Sequence, residues 1–416
     1  MKILRLQAYC FPERMASAHL ICDLYEACAA EKIETVVYTP TPTRGIDQAT
    51  RDKYKKIKYE EQYNGYVVIH RFAMFREGNN PLQRAFRYIL CNIAQYWMGV
   101  HEKNANIVFG ASTPPTQGIL CALTAKRLSK KYKRNIPFVY NLQDIFPDSL
   151  VTSGLTQKGS FLWKIGRKIE NYTYKNADKI IVISENMKRN IINKGVPEDK
   201  IIVIPNWIDT ETVKPIKKDD NRLYAEFHIS KEKFTVLYAG NFGAAQGADI
   251  ILKAAETLMS EPDIQFVIFG GGAEFHAAAA YVKEHHLTNV IIQPLLPQDR
   301  VSEVYSLGDV ALITCKSGVG SSGMPSKTWS IMACNTPIIA SFDTDSDMAC
   351  ILQKSGAGIC VEPENVSELS KAILEASKNR RKQNSLQLTS YVERTASKTV
   401  CVQKYIDVLK SAVSQK

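Results

Sequence analysis

A chain of 416 residues is too long for one ordinary hydrophobic core, and 45% apolar with 23% charged residues is a globular profile, so two domains are expected. Ten cysteines stand singly with no CxxC spacing, which argues against a zinc site or a disulfide framework and suits a reducing cytoplasm. The net charge of +11 is lopsided, with 31 Lys+Arg against 18 Asp+Glu in residues 1–208 and 22 against 24 in residues 209–416; the basic first half is expected to meet an anionic ligand or surface.

Strands are expected at 3–6, 35–38, 67–71, 107–110, 138–142, 180–183 and 201–204, with helices such as 18–31, 117–131 and 161–176 between them. The alternation then restarts at 235–239, 265–269, 290–293, 310–314, 337–341 and 358–361. Alternating strands and helices imply parallel sheets covered on both faces, here two doubly wound α/β domains over 1–208 and 209–395 facing across a cleft. Pro205-Asn206-Trp207 marks the junction, and 396–416 form a last helix expected to return across it. The first strand lacks the apolar core of a signal peptide. The most apolar stretch, 85–100, is broken by Arg87, Asn92 and Gln95 and falls short of the ~18 apolar residues of a spanning helix.

Ligands of such sheets bind beyond the carboxyl ends of the strands. No GxGxxG follows the first strand, whose long loop instead carries Glu13, so a dinucleotide site is disfavoured. After strand 138–142 comes Gln143-Asp144-Ile145-Phe146-Pro147-Asp148. Asp144 is placed to orient or deprotonate a sugar hydroxyl, whereas Asp148, like Asp144, also suits a helix cap. In the second half, Gly240, with Asn241 and Gln246 as uncharged donors, and Gly270 of a triple glycine allow close approach of a ligand.

The richest stretch runs from Ser317 to Ala340. A loop of small residues including Ser321, Ser322 and Gly323 leads to Pro325, a good first helical residue, followed by Lys327; Asn335 suits a left-handed stop. Free amides, a helix dipole and a lysine make an anion site sized for a nucleoside diphosphate. Ser326 and Ser330, with Ala333, fall on one helical face that would lie against it. Asp343, Asp345 and Asp347 have DxD spacing able to hold Mg²⁺, yet after a strand they read better as caps, and His285-His286 are too adjacent to share a ligand face. No metal site is expected.

In order along the chain, Tyr9-x-x-Pro12-Glu13, Ala111-Ser112-Thr113-Pro114-Pro115, the 143–149 loop, Pro205-Asn206-Trp207 with Asp209, Gly240-Asn241 with Gln246-Gly247, and Pro325-Ser326-Lys327 resemble the retaining GT-B glycosyltransferases of family 4, in particular the bacterial O-antigen and capsule group. The resemblance covers nearly the whole chain. It implies two Rossmann-like domains, an acceptor domain that includes Glu13 and Asp148 and a sugar-nucleotide domain, with metal-independent transfer and no cofactor. It also implies a sugar-nucleotide donor, UDP-linked and N-acetylated, with a polyprenyl-diphosphate-linked or oligosaccharide acceptor. Localisation would be cytoplasmic, with the basic half (Arg84, Arg87, Tyr88 and Trp97) resting on the anionic inner face of the plasma membrane. Nucleic acid is not expected as a partner.

Three departures from the family pattern shape the expectation. The usual basic pair falls at Asn241 and Gln246, the paired glutamates at Ser322 and Ser330, and the acceptor-strand histidine at Gln143. Lys327 and the amides of 321–323 are then left to hold the diphosphate. A two-lobed binding protein without catalysis and a GT-B sugar-nucleotide epimerase are the competing readings.

Overall fold

The computed structural model describes residues 1–13, 18–78, 80–152, 154–320, 324–379 and 387–414. It divides into two compact units, Met1–Pro205 joined by Cys401–Lys416, and Asn206–Val400.

The first unit holds β1 (Lys2–Leu6), β2 (Glu34–Pro40), β3 (Tyr59–Gln62), β4 (Val67–Phe72), β5 (Ile107–Ala111), β6 (Phe138–Leu142), β7 (Lys179–Val182) and β8 (Ile201–Val203). Its sheet order is β3-β4-β2-β1-β5-β6-β7-β8, parallel except for β3. Leu4 and Leu6 of β1 and Val108 of β5 are buried on one face; Ile3 and Phe109 are buried on the other. Strands wrapped on both faces read as unbroken apolar runs, which is why they were visible in the sequence. β3 escaped notice because Tyr59-Glu60-Glu61-Gln62 is an exposed edge with no apolar alternation. It pairs antiparallel with β4 through a turn in which Tyr63, Asn64 and Gly65 all have positive φ.

The second unit holds β9 (Phe234–Asn241), β10 (Ile264–Gly271), β11 (Val290–Pro294), β12 (Val310–Thr314), β13 (Ile338–Ser341) and β14 (Gly358–Val361) in the order β11-β10-β9-β12-β13-β14, all parallel. The chain winds outward first through β10 and β11 and then, from the other side of β9, through β12 to β14. The reversal of winding leaves a crevice between the carboxyl ends of β9 and β12. In the first unit the corresponding reversal lies between β1 and β5.

Helix ends follow their sequence signals. Asn80 accepts the Leu82 amide at 2.9 Å to open helix Pro81–His101, with proline in its first turn. Ser160 caps helix Phe161–Asn176, and Ser184 caps helix Glu185–Asn193. The closing helix Lys398–Ser414 buries Tyr405 against Phe109 in the first unit, where its hydroxyl donates to Asn141 Oδ1 at 3.1 Å.

Candidate functional site

The crevice at the β9–β12 reversal opens into a cavity of about 500 Å³, in the range of small-molecule sites. Gly240, Asn241, Gln246, Ser326 and Lys327 line it, so five residues chosen for their place in the sequence converge there. Tyr238 was missed, because inside a strand it reads as core. Its ring lies under Lys327, 4.2 Å from Nζ to the centroid, and its hydroxyl donates to the Asn241 carbonyl at 2.8 Å. The ammonium also reaches the Ala239 carbonyl at 3.4 Å. A Cβ on Gly240 would stand 2.9 Å from that Nζ, so glycine is what lets the lysine lie there. Burial pushes the Lys327 pKa down to about 7. Among the described residues no carboxylate pairs with it, and desolvation alone acts on its charge. A desolvated lysine without a counter-charge is a receptor for an anion.

Asn241 Nδ2 donates to Gln246 Oε1 at 3.1 Å, so the two neutral residues that stand where a basic pair was expected hold each other across the loop.

Several expectations need correction. The helix begins at Lys327, not Pro325; Pro325 instead opens a turn in which its carbonyl accepts the Thr328 amide at 3.1 Å. Ser330 and Ala333 face the core, and Ser330 does not line the cavity. The space over Gly270 is taken by Phe242 and Phe275, each of which a Cβ would meet at under 3 Å; that glycine serves ring packing rather than a ligand. Ser321, Ser322 and Gly323 lie outside the described residues. The amides just before them are already used. Gly318 and Gly320 donate to the Asp343 carboxylate at 2.9 and 2.7 Å, and Ser317 donates to Glu364 at 3.2 Å. Asp343 therefore ties down the loop, and Ser346 caps the helix Asp347–Ser355 that follows. Among the described residues no three His, Cys, Asp or Glu come together as a metal site. Asn335 takes the expected left-handed stop, with φ 56°.

In the first unit Asp144 sits exposed just beyond β6. Desolvation of its carboxyl, with Asp148 nearby, raises its pKa above the ordinary carboxylate value, while hydrogen bonds from Ser149 and the Ile145 amide act in the opposite direction. Asp148 is engaged by Lys194 at 2.7 Å and Asn190 at 3.2 Å, and Lys194 also pairs with buried Glu170. Glu13 is buried and accepts the amides of Cys10, Thr43 and Arg44 at 3.0, 2.8 and 3.0 Å. Glu13 thus fixes the loop after β1 through backbone amides, whereas Asp148 is held by side chains. Arg87 is fully buried and donates to the Phe75 carbonyl, Arg84 is drawn to Glu77, and Tyr88 bonds Tyr9. Of the four residues expected at a membrane, Arg87 is closed off, while Trp97 is 62% exposed.

Two family models match in tandem, Glycosyltransferase Family 4 over residues 18–212 and Glycosyl transferases group 1 over 219–391. The putative colanic acid biosynthesis glycosyl transferase WcaI of Escherichia coli K12 is 28% identical over 65% of this chain and 66% of its own length. The probable glycosyltransferase WbjE of Pseudomonas aeruginosa is 26% identical over 58% of this chain and 60% of its own. The matches thus span slightly less than two thirds of those relatives. Among solved structures, Anabaena HepE in complex with UDP superposes with a TM-score of 0.72 at 14% identity, over 99% of this chain and 100% of that one. Two doubly wound units, each matched by its own glycosyltransferase domain model, place the chain in the GT-B glycosyltransferases of family 4.

Proposed function

We propose that the protein moves a sugar from a nucleoside-diphosphate donor, UDP-linked and N-acetylated, to a polyprenyl-diphosphate-linked or oligosaccharide acceptor of a bacterial surface polysaccharide, with retention at the anomeric carbon. The observation that carries the reading is Lys327, whose ammonium lies desolvated and without a carboxylate in the β9–β12 cavity. A diphosphate there gains a full positive charge as the bond from the anomeric carbon to the phosphate oxygen breaks, when the leaving group most needs one. Asp144 is assigned the acceptor hydroxyl, whose proton it accepts as the new carbon–oxygen bond forms. Lys327 takes the place of a metal ion in this scheme, so transfer is expected to persist in a chelator. The names of WcaI and WbjE and the UDP in HepE support the reading.

A panel of sugar nucleotides tested for thermal stabilisation names the donor, since a ligand bound by the native state raises its melting point. Turnover with that donor is then compared in the wild type and Lys327→Ala, which should lose transfer with its fold intact. Near-normal turnover in that variant, or no stabilisation by any donor, would sink the proposal. Donor consumed without acceptor and returned as an isomeric sugar nucleotide would identify an epimerase.

A further inference from the structure

Four arginines, Arg51, Arg71, Arg76 and Arg87, gather at the carboxyl ends of β2 and β4. Helix Gln48–Lys56 follows β2, with Asp47 accepting the Thr50 amide at its start. It turns Arg51 inward, leaving 9% of that residue open. Tyr54, one turn later, is covered by the Arg71 guanidinium 4.9 Å above its ring and meets the Phe11 ring edge-on at 6.5 Å. Arg71 also donates to the Phe11 carbonyl at 2.7 Å, while Arg87 donates to Thr43 Oγ1 at 3.4 Å and to the Phe75 carbonyl at 3.2 Å. The loops after β1, β2 and β4 thus close on one place.

The acids there are already engaged. Glu60 pairs with Arg71 at 2.9 Å, Glu77 lies 3.0 Å from Arg84 and 4.0 Å from Arg87, and Glu13 accepts three backbone amides. Asp52, next to Arg51 in sequence, bonds Lys55 at 2.6 Å on the exposed side of the helix. Among the described residues the Arg51 guanidinium makes no ion pair or hydrogen bond, and its Nη1 is sealed without a partner. Burial lowers its pKa, and the charges of Arg76 and Arg87 act the same way. A guanidinium stays charged at every physiological pH, so its unpaired burial is unfavourable until an oxyanion meets it.

We infer that Arg51, with Arg76 beside it, binds a carboxylate carried by the acceptor, which is an acidic oligosaccharide whose charged sugar precedes the one being extended. The uncompensated buried charge is single, which suits a carboxylate better than a diphosphate, and a carboxylate matches the planar guanidinium fork. Phe11, 52% exposed, offers its ring to the C–H face of a sugar. In the sheet order β2 stands three strands from β6, about 14 Å at the usual spacing, so the carboxylate belongs to a different sugar from the hydroxyl assigned to Asp144. The inference rests on the proposed transfer for calling the ligand an acceptor; the anion site does not.

The test is calorimetric titration of the full chain with trisaccharides that carry glucuronic acid in the middle, each beside its counterpart with the carboxylate reduced to an alcohol. The acid forms should bind about tenfold more tightly, a difference that Arg51→Gln erases and Arg76→Gln lowers about threefold. Because it removes an unpaired buried charge, Arg51→Gln should melt no lower than the wild type, with stabilisation by UDP unchanged. The inference is overturned by equal binding of acid and reduced forms, by a preference that survives Arg51→Gln, or by a melting temperature that this variant lowers, which would make Arg51 a structural residue. Farnesyl diphosphate bound through Arg51, with no selectivity among the trisaccharides, would assign the site to a lipid diphosphate and overturn it as well. Turnover that needs Lys327 without acid selectivity sinks this inference alone, whereas acid-selective binding through Arg51 without transfer upholds the site and sinks the transfer reading.

Discussion

Lys327 is held against its own solvation. Burial favours the neutral amine, bringing its pKa to about 7, while the Tyr238 ring below returns part of the cost of a charge there. The unfolded chain keeps the lysine protonated up to its ordinary value, so between about pH 7 and 10 the unfolded state binds the extra proton. The stability penalty is therefore complete below pH 7 and fades as pH rises above it. Lys327→Met should accordingly stabilise the protein by about 1–3 kcal/mol at or below neutral pH, with a smaller gain in alkali, as measured by denaturant unfolding across pH. The same group gives donor binding the opposite trend. Above pH 7 a proton must be taken up for the ammonium to meet the diphosphate, so UDP affinity should fall up to about tenfold per pH unit. Calorimetry in buffers of different ionisation enthalpy should record that uptake in the wild type and none in Lys327→Met.

At the scale of elements, the loop from Ser317 to Gly320 is ordered by a carboxylate in the next strand–helix connection. Asp343→Ala leaves the Gly318 and Gly320 amides without their acceptor; a loss of about 1–3 kcal/mol in melting experiments is expected, together with weaker UDP binding. Asp345→Ala, on an exposed side chain, should leave both unchanged. The DxD spacing was legible in the sequence but not its use, since spacing along the chain does not show that Asp343 reaches back across the β12–β13 connection. The strands themselves were legible because a parallel sheet needs apolar runs, and the stop at Asn335 because few residues accept its positive φ. That helix Pro81–His101 buries Arg87 and Gln95 yet exposes Phe86, Ile93 and Trp97 was hidden. Its sequence shows apolar and polar stripes, but not which of them turns to the sheet. Ser330 misled for the same reason, its face being decided by Trp329 and Ile331 entering the core.

On the scale of the whole molecule, the last residues belong with the first. Cys401, Tyr405, Ile406 and Leu409 are buried, and Lys410 pairs with Glu31 at 2.8 Å. Ending the chain at Val400 should therefore lower the melting temperature of the Met1–Pro205 unit while stabilisation of the Asn206–Val400 unit by UDP survives. A single transition shifted as a whole would show instead that the two units unfold as one.

That grouping also bears on the order in which the protein comes into being. A chain leaving the ribosome usually completes its N-terminal domain first. Here the amino-terminal sheet emerges early yet waits for its covering helix Lys398–Ser414 until after Asn206–Val400 has been made. During synthesis the first unit is therefore an unfinished body with Phe109 uncovered, and it is there that a chaperone would find the nascent protein.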